Sequence, residues 1–161
     1  MNLVSPPKAV AGDKVAVVSP SFAAPGFAPA VHEQAMERLT AITGLHPVEY
    51  PTTRQLDASA ADRAADLNAA FRDTSIRAVL ATIGGDDQIT VLPYLDRELI
   101  PANPKPFFGM SDNTNLLAFL YNTGIVGYHG ATVMTALGRP VAMDPLTADS
   151  LRAALFTSGP Y

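Results

Sequence analysis

The sequence predicts an α/β fold in which a parallel sheet is flanked by helices, and three observations point to it. Lys14-Val15-Ala16-Val17-Val18 and Arg77-Ala78-Val79-Leu80-Ala81-Thr82-Ile83 are short runs of aliphatic and β-branched residues. Near-continuous apolar runs of this length suit strands buried on both faces, as in a parallel sheet. Stretches of helical period separate the runs, and that alternation implies right-handed crossovers. The composition agrees: 161 residues, 48% hydrophobic and 7% aromatic, make one domain large enough to bury a core.

The elements follow in chain order. The first strand stops at Ser19-Pro20, and the Pro- and Gly-rich stretch from Pro20 to Pro29 reads as a loop. Pro29 suits the first turn of a helix, where its missing N–H costs nothing. Val31, Ala35, Leu39 and Ile42 recur at helical spacing, and Gly44 stands where a C-terminal cap is expected. His46 to Tyr50 is a weaker second strand, interrupted by Pro47. Ser59 and Asp62 resemble a capping box, and Ala60, Ala64, Leu67 and Phe71 form a helical stripe ending near Asp73. The third strand, Arg77 to Ile83, runs into Gly84-Gly85-Asp86-Asp87, after which a short helix is expected through Leu92, limited by Pro93. Pro106 to Met110 is the fourth strand, and a helix follows from Asn113 to Asn122, ended by Gly124. Ile125 to Tyr128 is a fifth strand leading into His129-Gly130, and Asp149 to Phe156 a last helix. The domain is expected over residues 1–156, with 157–161 starting a linker.

Composition also excludes function classes. The net charge of −4, from 11 basic and 15 acidic residues with no basic run, argues against nucleic acid as a partner. Cysteine is absent, which removes disulfides, zinc–thiolate sites and thiol nucleophiles, and fits a reducing compartment. No stretch approaches the roughly 20 apolar residues of a membrane helix, and Met1 to Ala11 has no signal-peptide core. The expectation is a cytoplasmic protein that needs no metal or cofactor.

In a parallel sheet, ligands bind at the carboxyl ends of the strands. Three loops fall there: Ser19-Pro20-Ser21, Gly84 to Asp87, and Gly109 to Asp112. Ser111 lies at a strand-to-helix junction. It reads either as a nucleophile exposed on a sharp turn, with the Asp112 N–H as an oxyanion donor, or as a helix N-cap. Its Gly-x-Ser-Asp setting meets only part of the Gly-x-Ser-x-Gly pattern. Gly84 and Gly85 let backbone approach a ligand closely, to complete an oxyanion hole or to cradle a phosphate. No Gly-Lys-Ser/Thr ending and no Gly-x-Gly-x-x-Gly accompanies them. Asp86 and Asp87 read as caps of the next helix or, less commonly, as ligands of a hard cation. His32 reads as a surface residue, and His46 as uninformative. His129 is the histidine that could reach the Ser111 edge as a base, but nothing near it suggests an orienting carboxylate.

Taken jointly, these segments resemble one family. Gly12-Asp13-Lys14-Val15-Ala16-Val17-Val18-Ser19-Pro20-Ser21 is similar to the opening of the serine LD-carboxypeptidases and microcin C self-immunity peptidases. The helix Ser59 to Asp73, followed by Ile76-Arg77-Ala78-Val79-Leu80, resembles the same family. Thr82-Ile83-Gly84-Gly85-Asp86-Asp87 looks like its immunity-peptidase branch. Asn103 to Asp112 resembles its nucleophile segment, and Gly124 to Gly130 its next strand. The resemblance implies the flavodoxin-like N-terminal domain of a two-domain peptidase with a Ser-Glu-His triad. Ser111 matches the nucleophile, the Gly85 and Asp112 amides match the oxyanion donors, and Gly84 and Asp86 are expected to contact substrate. In the family, Glu and His come from a C-terminal domain that is absent here, so the chain alone is expected to be inactive. The implied substrate is a cell-wall peptide or an aminoacyl-nucleotide, and the full-length protein is expected to be a homodimer. Gln88 departs from the small polar residue expected after Gly-Gly-Asp-Asp. Two rival readings remain open: a non-catalytic flavodoxin-like domain holding a nucleotide or phosphate at Gly84 to Asp87, and an assembly unit pairing through an exposed sheet edge.

Overall fold

In the computed structural model, which describes residues 3–158, one parallel sheet has the order β2-β1-β3-β4-β5. Its strands are β1 (Lys14–Val18), β2 (His46–Glu49), β3 (Ile76–Ala81), β4 (Phe107–Gly109) and β5 (Tyr128–His129). The helices are α1 (Ala24–Phe27), α2 (Pro29–Thr43), α3 (Ala60–Arg72), α4 (Leu99–Ala102), α5 (Thr114–Asn122) and α6 (Pro145–Phe156). Residues 1–2 of the N-terminal segment and 159–161 of the expected linker lie outside the described residues.

The sheet has a core on each side, which is why its strands read as unbroken apolar runs. Ala16, Val18, Val79, Ala81 and Phe107 pack with α3 and α5 through Leu67, Phe71, Leu116 and Leu120. Their neighbours Val15, Val17, Ala78, Leu80 and Phe108 face α2 and α6 through Ala35, Leu39, Leu151 and Leu155. Strand order reverses between β1 and β3. The loops leaving those two strands therefore part around a crevice, the usual ligand position in such sheets.

The caps of two helices form as expected. Ser59 Oγ accepts from Asp62 N at the start of α3, and Gly44 closes α2 with φ of 69°. Several boundaries differ. The loop after β1 holds the short turn α1, and α6 begins at Pro145, with the Asp144 carboxylate accepting from Thr147 N, rather than at Asp149. The helix expected through Leu92 is two 3-10 turns, Gln88–Thr90 and Leu92–Tyr94, because Pro93 leaves no room for a full turn. The fifth strand is shifted to Tyr128–His129, and Ile125 instead bridges Val4. Val133–Leu137, not expected from sequence, forms a π turn.

One side chain reverses its expected place. The buried face of α2 is His32, Ala35, Leu39 and Thr43, while Val31 is exposed. His32 is fully buried, with Nε2 3.2 Å from Glu49 Oε1. Ala35 and Leu39 stay in the buried stripe while its ends move by one residue, so that an imidazole takes the place assigned to a valine. Among the described residues no helix is long and apolar enough to cross a membrane.

Candidate active site

β4 ends at Gly109, and the chain turns through Met110 into the 3-10 turn Ser111–Asn113, which runs on into α5. Ser111 has φ of 59°. For a residue with a Cβ that conformation costs about 1–2 kcal/mol. It persists only where surrounding contacts over-determine it. The strain lifts the side chain out of the strand-to-helix junction, and Ser111 is exposed. It is not a helix cap: the residue preceding the 3-10 turn is Met110, that preceding α5 is Asn113, and neither end has a side-chain cap bond.

Buried amides hold this turn. Asn113 donates through Nδ2 to Ile83 O and Met110 O, both at 3.0 Å. Its Oδ1 accepts from Gln88 Nε2 at 2.7 Å, while Gln88 Oε1 accepts from Leu116 N at 2.9 Å. Gln88 is thus a fully buried brace between the Gly84–Asp87 loop and α5. The Asp112 carboxylate turns inward from the exposed face. It accepts from Gln88 N and Asn115 Nδ2, each at 2.9 Å, and from the Ser21 hydroxyl. Three loops therefore meet at one carboxylate.

Arg63, from α3, ties two of those loops together. Its Nη1 and Nη2 donate to the two Asp87 oxygens, each at 2.8 Å, and Nη1 also donates to Ser21 O at 3.1 Å. The pair holds the Asp87 carboxyl below its ordinary range, chiefly through the hydrogen bonds from Arg63. Neither aspartate acts as the expected cap: Asp87 precedes the turn Gln88–Thr90 without a side-chain cap bond, and Asp86 is exposed. Among the described residues no cluster of acidic or histidine side chains could hold a metal ion.

The glycines are required by close approach. A Cβ on Gly84 would lie 2.9 Å from Ser111 Cβ and 3.1 Å from its Oγ. On Gly85 it would lie 2.1 Å from Ser21 Oγ and 3.0 Å from Phe22 N. Among the described residues the Gly85 N–H has no acceptor. Ser111, Gly84, Gly85 and Asp86 line one hollow of about 570 Å³ with Phe22, Ile83, Met110, Thr132 and Thr135.

That hollow gathers most of the residues picked out from sequence. Ser111, Gly84, Gly85 and Asp86 share it, and the Asp112 amide adjoins it, 3.4 Å from the position of a Gly84 Cβ. His129 is not part of it. It lines a separate hollow of about 500 Å³, with Phe108, Tyr128 and α6. His46 opens β2 at the opposite end of that strand from Glu49. Sequence reasoning missed Phe22, Met110, Thr132 and Thr135 as wall residues, and Arg63 and Asn113 as braces. An Asn two residues after the serine was a readable signal for the second brace; nothing in the α3 stripe marked Arg63.

Known proteins resemble this chain in sequence and in fold. Residues 15–130 match the LD-carboxypeptidase N-terminal domain. The murein tetrapeptide carboxypeptidase of Pseudomonas aeruginosa is 32% identical over 143 residues, 84% of this chain and 43% of its own length. The microcin C7 self-immunity protein of Escherichia coli is 36% identical over 90 residues, 55% of this chain and 26% of its own. A structure of the microcin C7 self-immunity protein in complex with aspartyl sulfamoyl adenosine superposes with a TM-score of 0.90 at 29% identity, covering 98% of this chain and 48% of that one. A related protein from Bacillus anthracis gives 0.88 at 34% identity, covering 95% and 47%. The chain thus spans about half the length, or less, of these relatives. A flavodoxin-like sheet order, a strained serine turn at its carboxyl edge and this run of matches together make the chain a member of the LD-carboxypeptidase family, carrying its N-terminal domain.

Proposed function

We propose that this domain supplies the nucleophile of a serine carboxypeptidase, and that Ser111 attacks the carbonyl of a carboxyl-terminal amide to form an acyl-enzyme. The observation that carries the reading is the left-handed backbone of Ser111, exposed at the carboxyl edge of the sheet. The Gly85 and Asp112 amides are the donors for the tetrahedral oxyanion, and donors fixed in advance by the fold stabilise such charge well. Gly84 and Asp86 contact substrate. A base and its orienting carboxylate, His and Glu, come from a second domain like the remaining half of the relatives. Support for a serine in the active site comes also from the structurally matched immunity protein, one active-site mutant of which replaces a serine, together with an asparagine and a lysine, with alanine.

Two substrate classes suit the family: a murein peptide, as in the tetrapeptide carboxypeptidase, and an aminoacyl-nucleotide, as in the immunity protein bound to aspartyl sulfamoyl adenosine. The reading needs no metal or cofactor, and it takes the longer protein to be a cytoplasmic homodimer. A phosphate-binding role for Gly84 to Asp87 is less favoured, because those glycines lead into a three-residue 3-10 turn, whereas phosphate cradles use the N-terminus of a full helix.

The test is hydrolysis of a murein tetrapeptide and an aminoacyl sulfamoyl adenosine by this chain alone and by a protein extended with the second half. Turnover is expected only in the extended protein, since loss of a triad base lowers the rate by roughly a thousandfold or more. A fluorophosphonate should label the extended protein and spare Ser111→Ala. Labelling that survives the substitution would overturn the assignment.

A further inference from the structure

The hollow beside Ser111 has an uneven charge. Its apolar wall comes from Phe22, Ile83 and Met110, and Phe22 and Met110 are exposed although large and hydrophobic. Thr132 and Thr135 bond to each other through their hydroxyls at 2.6 Å, which leaves them only a modest capacity for a charged ligand. Asp86 is the one charged side chain on the wall, and it is exposed with no basic partner among the described residues. Its neighbours are already engaged: Asp87 is paired with Arg63, and Asp112 is turned inward onto Ser21, Gln88 and Asn115. Arg139 lines an adjoining hollow of about 280 Å³, whose wall also includes Asp144.

A carboxylate placed in the Ser111 hollow would meet Asp86 with no cation to offset it. An ammonium group there would find an exposed acidic partner beside an apolar surface that can take the rest of a residue. We propose that the Ser111 hollow binds a substrate segment carrying a free ammonium group, with Asp86 as its partner and the Phe22–Ile83–Met110 surface beneath its apolar part. This rests on the proposed function for its meaning in catalysis and deepens it: the acyl side of the scissile amide, with its free ammonium, lies in this domain, and the terminal carboxylate of the leaving residue is recognised outside this hollow.

The test uses this chain and three dipeptides with one apolar body: alanyl-phenylalanine amide, which is cationic; its N-acetyl form, which is neutral; and N-acetyl-alanyl-phenylalanine, which is anionic. Amide resonances of Gly85, Asp86, Met110 and Ser111 are followed by NMR during titration. The cationic peptide should bind roughly two- to fivefold more tightly than the neutral one, the scale of a solvent-exposed ion pair, and the anionic peptide should bind most weakly. Asp86→Asn should abolish that order, and Asp86→Glu should restore it. Equal or reversed affinities, an order that survives Asp86→Asn, or no shift of those amides with any of the three peptides overturns the inference. Fluorophosphonate labelling of Ser111 in the protein extended with the second half separates the two ideas. A retained ammonium preference without labelling sinks the nucleophile assignment alone, and labelling without the preference sinks this one alone.

Discussion

Two arginine-centred clusters fasten loops at the carboxyl end of the sheet, and they are built from the same chemistry in different surroundings. At the edge strand β2, Arg54 donates from Nε and Nη2 to both Glu49 oxygens and from Nη1 to Glu33, all at 2.6 Å. Beside Ser111, Arg63 meets Asp87 at 2.8 Å and reaches the carbonyls of Pro20 and Ser21. By distance and count of carboxylates the Arg54 cluster is the better ion pair. Yet its guanidinium side chain is 39% exposed, and that of Arg63 only 7%. Water and salt compete for the first and are kept from the second, so burial rather than bond length sets what each contributes. The cluster that resists competition is the one that fixes the loops of the candidate site.

The largest test of this contrast is Arg63→Ala. It leaves the Pro20 and Ser21 carbonyls without their donor, opens space against α3 and unpairs Asp87. Removing one partner of a buried pair typically destabilises by about 3–5 kcal/mol. Because Asp87 is itself half exposed, a loss of about 3 kcal/mol is expected in a denaturant titration. Asp87→Asn keeps one hydrogen-bond acceptor and should lose about 1 kcal/mol. Hydrogen exchange at Gln88, whose N–H donates to Asp112, should quicken in Arg63→Ala, because the loop loses its anchor to α3. An Arg63→Ala protein within about 0.5 kcal/mol of the parent would break the comparison, since that is the scale of an ordinary surface substitution.

His32 sharpens the contrast from the other cluster, where it lies behind Arg54 against Glu49. Burial pushes its pKa below the ordinary 6.5, outweighing the attraction of Glu49, with Arg54 adding to the lowering and Glu33 opposing it. The unfolded chain therefore takes up a proton here more readily than the folded one. Stability is full above about pH 6.5 and falls as the pH drops through that value, until the folded-state pKa is also passed. Glu49 is held below its usual pKa, first by its hydrogen bond from Arg54, so its own acid-induced loss begins at lower pH, in the carboxylate range. Thermal melts between about pH 7.5 and pH 5 should show a decline of the order of 1 kcal/mol that His32→Gln lacks. Stability that rises on acidification over that window would mean the Glu49 attraction outweighs burial.

The sheet was legible because burying both faces forces whole strands to be apolar, and a five-residue run such as Lys14–Val18 needs no partner to be recognised. Ser111, Gly84 and Gly85 were legible for a related reason: a serine at a strand-to-helix junction and paired glycines after a strand answer to local backbone demands. The braces were not. Arg63 sits on α3 between residues of ordinary helical pattern, and only the folded chain brings it to Asp87, 24 residues later. His32 was misread because its helix has alternative stripes one residue apart, and the apolar choice, with Val31, looked better than the one the packing takes. The wall residues Thr132 and Thr135 belong to an irregular turn with no periodic signal at all.

The smallest effect belongs to Arg54, despite its short bonds. Arg54→Gln should lose less than about 1 kcal/mol, as exposed ion pairs do even when several oxygens are shared. The loss should shrink further as salt is raised from about 0.05 M to about 0.5 M, where the Debye length falls to a few ångströms. Arg63→Ala should keep nearly all of its loss over the same range, because its guanidinium is out of reach of the salt. A denaturant series for both variants at the two salt concentrations reads the difference directly. If both losses fade with salt, Arg63 is screened as Arg54 is, and burial is not what distinguishes them. If neither fades, the Arg54 cluster acts through packing and hydrogen-bond geometry, and its short contacts count for more than their exposure implies.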